Sequence, residues 1–167
     1  MKTLIIYATR YGSAESCAKM LSEKLTGNVD LHNLKEGQHV DLSQYEKVII
    51  GGSIYVGKIQ KEVGEFCTNN LETLKHKTVG LYVCGMLKEK ADIELNDSFP
   101  KELLDYAVAK EFFGGTFNFK KMNVFVKFIV KNITKNDKTL PEMDRNKVIS
   151  TVSEELINKF AQSMNNA

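Results

Sequence analysis

Residues 46–59 read EKVIIGGSIYVGKI, an apolar run that breaks at two glycines and resumes through a tyrosine to glycine, lysine and isoleucine. Val48, Ile49 and Ile50 are consecutive and β-branched, the composition of a strand buried on both faces. Residues 52–58 also carry the outline of a phosphate loop: glycine, four residues, glycine, lysine. Such a loop curls its N–H groups around phosphates, and a following Ser or Thr hydroxyl holds Mg²⁺. Here that position is Ile59, which cannot ligate a metal. Nucleotide hydrolysis would further need an aspartate closing another apolar strand. The later apolar runs end instead in Cys84-Gly85 and Gly114-Gly115-Thr116. A phosphorylation-receiver site fails in the same way, because Thr9 and Gly51-Gly52 stand where acidic residues are required.

Outward from this stretch, apolar runs alternate with helical patterns. The run beginning at Lys2, TLIIYAT, reads as a first buried strand, and Cys17, Ala18, Leu21 and Leu25 form one face of a helix stopped at Gly27. NVDLHNL is a weaker second strand and EKVIIGGS the third. Ile59, Val63 and Phe66 set the next helical phase. KTVGLYVCG is the fourth strand, followed by a helix around Leu103, Leu104 and Val108 with Pro100 near its start. KEFFGGTF reads as the fifth strand, and Ile149, Val152, Leu156 and Phe160 mark a last helix. Continuous apolar strands alternating with helices predict an α/β fold with a parallel sheet covered on both faces. Five such units favour the flavodoxin-like doubly wound order 2-1-3-4-5, with ligands beyond the strand ends near the switch between strands one and three.

A single domain over residues 1–167 is expected from the length. Composition is that of a soluble globular chain, 43% hydrophobic and 26% charged with a net charge of +2. The nearly balanced charge argues against nucleic acid. Cys17, Cys67 and Cys84 are odd in number, widely spaced and lack a CxxC pair, which fits the reducing cytoplasm and no metal site. His32, His39 and His76 read as surface residues. The opening apolar run is too short for a signal peptide or a membrane span.

Residues 119–135, FKKMNVFVKFIVKNITK, exceed the minimal fold. At 100° per residue Met122, Val126, Ile129 and Ile133 share one side, and Lys120, Lys127, Lys131 and Lys135 the other. This predicts a basic amphipathic helix inserted after the fifth strand, within an insertion of about 118–137. Reversible contact with an anionic membrane surface is one use of such a helix; a solvated face or a docking surface is another.

The first turn, TRYGSAES, has one glycine instead of the three of a dinucleotide fingerprint. It does offer Thr9, Gly12, Ser13 and Ser16 where backbone amides open a helix, an arrangement that binds a single phosphate without metal. Plain capping of the helix by Ser13 is the simpler role.

With these motifs the chain resembles the flavodoxin superfamily. ATRYGSAE looks like its loop for the ribityl phosphate of FMN, and GGSIYVGK and VCGMLKEK lie where two isoalloxazine-holding loops would be. More narrowly it is similar to the flavodoxin-domain proteins that include quinone-linked protoporphyrinogen oxidase (protoporphyrinogen IX dehydrogenase). The shared features are a Thr-Arg-x-Gly turn, a Ser-Ile-x-x-Gly loop and a long basic aromatic insertion. The resemblance implies FMN, with Thr9, Arg10, Tyr11, Gly12, Ser13 and Ala14 around the phosphate. Ser53, Ile54, Tyr55, Val56 and Gly57 would line one side of the flavin, and Gly85, Met86, Leu87 and Lys88 the other. Tyr55 is the candidate to stack on the ring, and the glycines of residues 52–58 would let backbone approach it. Catalytic residues are not identified.

The resemblance implies a cytoplasmic FMN-binding redox protein that transfers electrons between partner proteins. An alternative is an FMN-dependent oxidoreductase of the protoporphyrinogen dehydrogenase type, peripheral at the inner face of the membrane, with a tetrapyrrole substrate and a membrane quinone. A non-redox flavin-binding or interaction module is a third reading. Lys58, Lys88 and Lys90 fall on the presumed flavin side. One lysine at ~6 Å and an effective dielectric of ~20 favours a reduced, anionic flavin by roughly 3 kcal/mol before screening. A less negative potential than that of acidic flavodoxins is therefore expected.

Overall fold

The computed structural model describes residues 1–118 and 148–167. Its main sheet contains β1 (Lys2–Ala8), β2 (Asn28–Asn33), β3 (Lys47–Tyr55), β4 (Lys58–Ile59), β5 (Thr78–Cys84) and β6 (Ala109–Phe112). The order is β2-β1-β3-β5-β6 with every neighbour parallel, while β4 pairs antiparallel with the end of β3. Counted over its five parallel strands this is the expected 2-1-3-4-5 sheet. The β4 hairpin only displaces the numbering.

Side-chain alternation along each strand divides the core in two. Leu4, Ile6 and Ala8 of β1 join Val48 and Ile50 of β3 on one face. That face is covered by α2 (Lys61–Asn69), α3 (Leu71–Leu74), α4 (Ala91–Ser98) and α5 (Lys101–Tyr106), chiefly through Val63, Phe66, Leu74 and Leu103. Ile5 and Tyr7 join Ile49 and Tyr82 on the other face. There α1 (Ser13–Ser22) contributes Cys17, Ala18 and Leu21, and α6 (Glu154–Asn166) contributes Ile157, Phe160 and Met164. The buried Lys47 donates its ammonium to the Met164 carbonyl in the last turn of α6, where a cation offsets unpaired carbonyls.

Several expectations are corrected. Ile59 belongs to β4, and the helix it was expected to open starts at Lys61. The helix around Leu103 and Leu104 ends at Tyr106, so Val108 lies outside it and is 48% exposed. A separate helix, α4, precedes it; its weak amphipathicity hid it from a periodicity argument. KEFFGGTF is two strands: Gly114, at φ +82°, turns the chain out of β6 into β7 (Thr116–Asn118). β7 pairs antiparallel with β8 (Val148–Ser150), which claims Ile149 from the expected last helix; Val152 lies in the connector. The basic helix expected at 119–135 lies outside the described residues.

Candidate functional site

Strand register assembles the site. Ala8 is level with Gly52, and Ser53 with Cys84, so Thr9 and Gly85, just past the ends of β1 and β5, lie beside Ser53 of β3 at the same carboxyl edge. Thr9 and Ser53 are in fact within 3.3 Å through their hydroxyl oxygens.

The first loop is tied down from within. Gly12 takes the N-cap position of α1 at φ +98°, a left-handed conformation that glycine adopts without steric cost. Its N–H donates to Thr9 Oγ1 at 2.9 Å. Ser13 is not the cap: its hydroxyl donates to the Thr116 carbonyl and accepts from the Thr116 N–H, both at 3.1 Å, tying β7 to the start of α1. Ser53 Oγ accepts from the Ala14 N–H at 3.2 Å. The N–H groups of Tyr11, Ser13 and Glu15 meet no acceptor among the described residues. A helix start with unspent N–H donors flanked by hydroxyls is suited to one phosphate-sized anion.

Residues 52–58 are mostly strand rather than loop. β3 runs to Tyr55, and Val56 and Gly57 make a two-residue turn into β4. Both turn residues have positive φ, +50° and +73°, as a type I′ hairpin requires. Gly57 suits that conformation; the β-branched, exposed Val56 does not. Gly51 and Gly52 are required by internal packing. A Cβ on Gly51 would stand 2.1 Å from the Tyr82 ring, and one on Gly52 would stand 2.7 Å from Ile59. Gly51 thus admits the internal Tyr82 ring, and Gly52 the Ile59 side chain.

Arg10, Tyr11 and Tyr55 meet at the outer rim. The Arg10 guanidinium lies 4.1 Å from the centroid of Tyr55 and 5.7 Å from that of Tyr11, within cation–π range of both. One face of Tyr55 is therefore occupied by Arg10. Gln60 accepts from the Ser53 N–H at 3.0 Å, while its own buried Nε2 has no acceptor among the described residues. A donor is left unspent beside Ser53.

The third segment, Gly85, Met86, Leu87 and Lys88, rests on the β6–β7 turn and on Thr151. Thr151 Oγ1 lies 3.6 Å from Met86 Sδ and accepts from the Gly115 N–H at 3.1 Å. Lys88 and Lys90 are exposed, with the exposed Glu89 between them, so solvent screens their charge. Beneath this segment lies Glu94, 7% exposed, against Gly85 and Phe112, with its Oε2 unpartnered among the described residues. Burial pushes its carboxyl up from the ordinary range, opposed by nearby Lys90 and assisted by Glu89. Sequence patterning missed Gln60, Glu94, Thr116 and Thr151. Only Gly114-Gly115 signals the turn that brings Thr116 in.

Ile54 packs against the α2 face of the core, and Ala14 and Ser13 are buried at the helix start. Among the described residues no group of three or more His, Cys, Asp or Glu side chains could hold a metal ion. His32 is not simply a surface residue: its Nε2 is 2.7 Å from the Gly37 carbonyl. No helix among the described residues is long and apolar enough to cross a membrane.

A family model described as a flavodoxin domain matches residues 4–144. The chain belongs to the flavodoxin domain family. Among solved structures this flavodoxin-domain chain is similar to flavodoxin 2 of Bacillus cereus, at 18% identity and TM-score 0.60 over 99% of each chain. It is also similar to the Fusobacterium nucleatum flavodoxin bound to flavin mononucleotide, at 15% identity and TM-score 0.52 over 99% of this chain and 97% of that one. Rubredoxin oxygen:oxidoreductase of Desulfovibrio gigas matches over 99% of this chain at 15% identity and TM-score 0.53; the match spans about a third of that enzyme, 35%. No curated protein sequence matches.

Proposed function

We propose that the chain binds FMN at the carboxyl edge of β1, β3 and β5 and carries electrons between redox partners. The observation that carries this reading is the convergence of Thr9, Ser53 and the unspent amides at the start of α1, in a chain of the flavodoxin domain family. The N–H groups of Tyr11, Ser13 and Glu15, with the Thr9 and Ser53 hydroxyls that Gly12 and Ala14 hold in place, would bind the phosphate, the helix dipole favouring its charge. Tyr55 with Val56 and Gly57 on one side, and Gly85, Met86, Leu87 and Lys88 on the other, would flank the ring. The unspent Gln60 Nε2 is available to an acceptor on the ligand. Bound FMN supplies one- and two-electron chemistry; the protein orients it and sets the surrounding charge.

The test is the visible spectrum of the purified protein after addition of FMN and gel filtration. Flavin bands near about 370 and about 450 nm should remain with the protein. Ser53→Ala, which removes a hydroxyl shared by Thr9 and Ala14, should weaken retention roughly tenfold, the equivalent of about 1.4 kcal/mol. A protein that retains no flavin under any condition refutes the proposal.

A further inference from the structure

Resting on the electron-carrier reading above, we infer that the rim around Tyr55 is a docking surface for an acidic redox partner, its cationic ring formed by Arg10, Lys35, Lys58 and Lys61. One open pocket is lined by these four side chains together with Tyr55, Ile59, Gln60 and Glu62. They come from three separate places: the loop after β1, the chain beyond β2, and the β3–β4–α2 connection. All four are exposed.

Their charges are largely unspent. Lys61 pairs with Glu65 at 2.7 Å, but Arg10, Lys35 and Lys58 have no ion-pair partner among the described residues. Glu62 is the single acidic side chain in the lining. Arg10 is held over Tyr55 at 4.1 Å, which orients its planar guanidinium and suits it to carboxylates. Four exposed cations spread over three segments match a cluster of carboxylates on another protein surface better than one small anion.

The physics also fits a relay. Exposed ion pairs add little affinity, because water and salt screen them and long side chains must be ordered. Their summed field acts on encounter instead, raising association rates while leaving complexes short-lived. These cations line the same pocket as Tyr55, whose hairpin is assigned above to one side of the flavin.

Two measurements test this. With FMN bound and reduced, stopped-flow oxidation by ferricyanide, an anion, should slow about tenfold or more as salt rises from about 10 mM to about 1 M, over which the screening length falls from ~30 Å to ~3 Å. Oxidation by hexaammineruthenium(III), a cation, should accelerate over the same range. Lys35→Glu/Lys58→Glu should reverse the preference between the two oxidants at low salt. Equal or opposite salt slopes overturn the inference while leaving flavin binding intact. The second measurement needs no flavin: titration of the isotopically labelled full chain with a poly-glutamate peptide, followed by amide chemical shifts. Shifts should concentrate at Arg10, Lys35, Lys58 and Lys61, vanish at high salt and be lost in the double variant. Shifts centred elsewhere, or absent at low salt, overturn it. Failure to retain FMN refutes the proposed function alone, because this titration still reads the surface.

Discussion

Gly51→Ala tests the central packing. The added Cβ would stand 2.1 Å from Cε1 and Cζ of Tyr82 and 2.4 Å from Cε2, where carbon atoms ordinarily meet at about 3.5–4.0 Å. The ring would have to retreat by about 1.5 Å. It is poorly placed to do so: it is fully buried, stacks on Phe113 at 5.0 Å and donates its hydroxyl to the Ala14 carbonyl at 2.9 Å. Phe113 in turn meets Phe160 edge-on at 5.3 Å. Overpacking of this kind costs about 1–3 kcal/mol, and losing the hydroxyl's hydrogen bond about 1 kcal/mol more. The lower entropy of the unfolded alanine chain offsets about 0.4–1 kcal/mol. A net destabilisation of about 1–4 kcal/mol follows, or roughly 2–15 °C in Tm for a chain of this length. Urea and thermal unfolding should show it, and FMN retention should fall as well, because Ala14 lies in the first turn of α1. In a Tyr82→Leu background the clash partner is gone, so Gly51→Ala should be nearly neutral. An equal cost in both backgrounds, or less than about 0.5 kcal/mol in the wild-type background, would refute the reasoning.

The other expectations concern the loops and the buried titratable groups. Val56→Asn relieves a β-branched residue at φ +50° and should stabilise by about 1 kcal/mol, seen as a Tm about 2–4 °C higher; no gain would mean the turn is not strained. For Glu94 the folded chain binds the proton more tightly than the unfolded one, whose carboxyl titrates near 4.5. Its contribution is therefore neutral below that pH, and stability is lost as pH rises through the higher folded value. Glu94→Gln should match the wild type in urea unfolding below about pH 4.5 and exceed it at neutral pH; a gain independent of pH would sink the argument. Burial pushes the Cys67 thiol up to about 12 and the Cys84 thiol well up, and Cys17 is equally enclosed. None of the three should react with a disulfide reagent at pH 8 until urea unfolds the chain; one fast-reacting thiol in the native protein would contradict the packing.

By itself the sequence determined the architecture. Uninterrupted β-branched runs such as residues 48–50 bury in a sheet covered on both faces, and their alternation with helical patterns leaves few ways to wind it. It also placed Thr9, Gly12 and Ser13 at a helix start directly after the first strand. Local pattern could not tell a phosphate-like glycine outline from a hairpin: both need positive φ, and only pairing of Ile54 with Ile59 and of Tyr55 with Lys58 decides between them. Nor could it give Gly51 its purpose, which is set by a ring 31 residues away on the neighbouring strand. The Ser13–Thr116 exchange, the approach of Ser53 to Ala14 and the placement of Glu94 beneath Gly85 join residues far apart in the chain. Such contacts depend on strand register and helix packing, and no period of 2 or 3.6 residues records which distant residues those bring together.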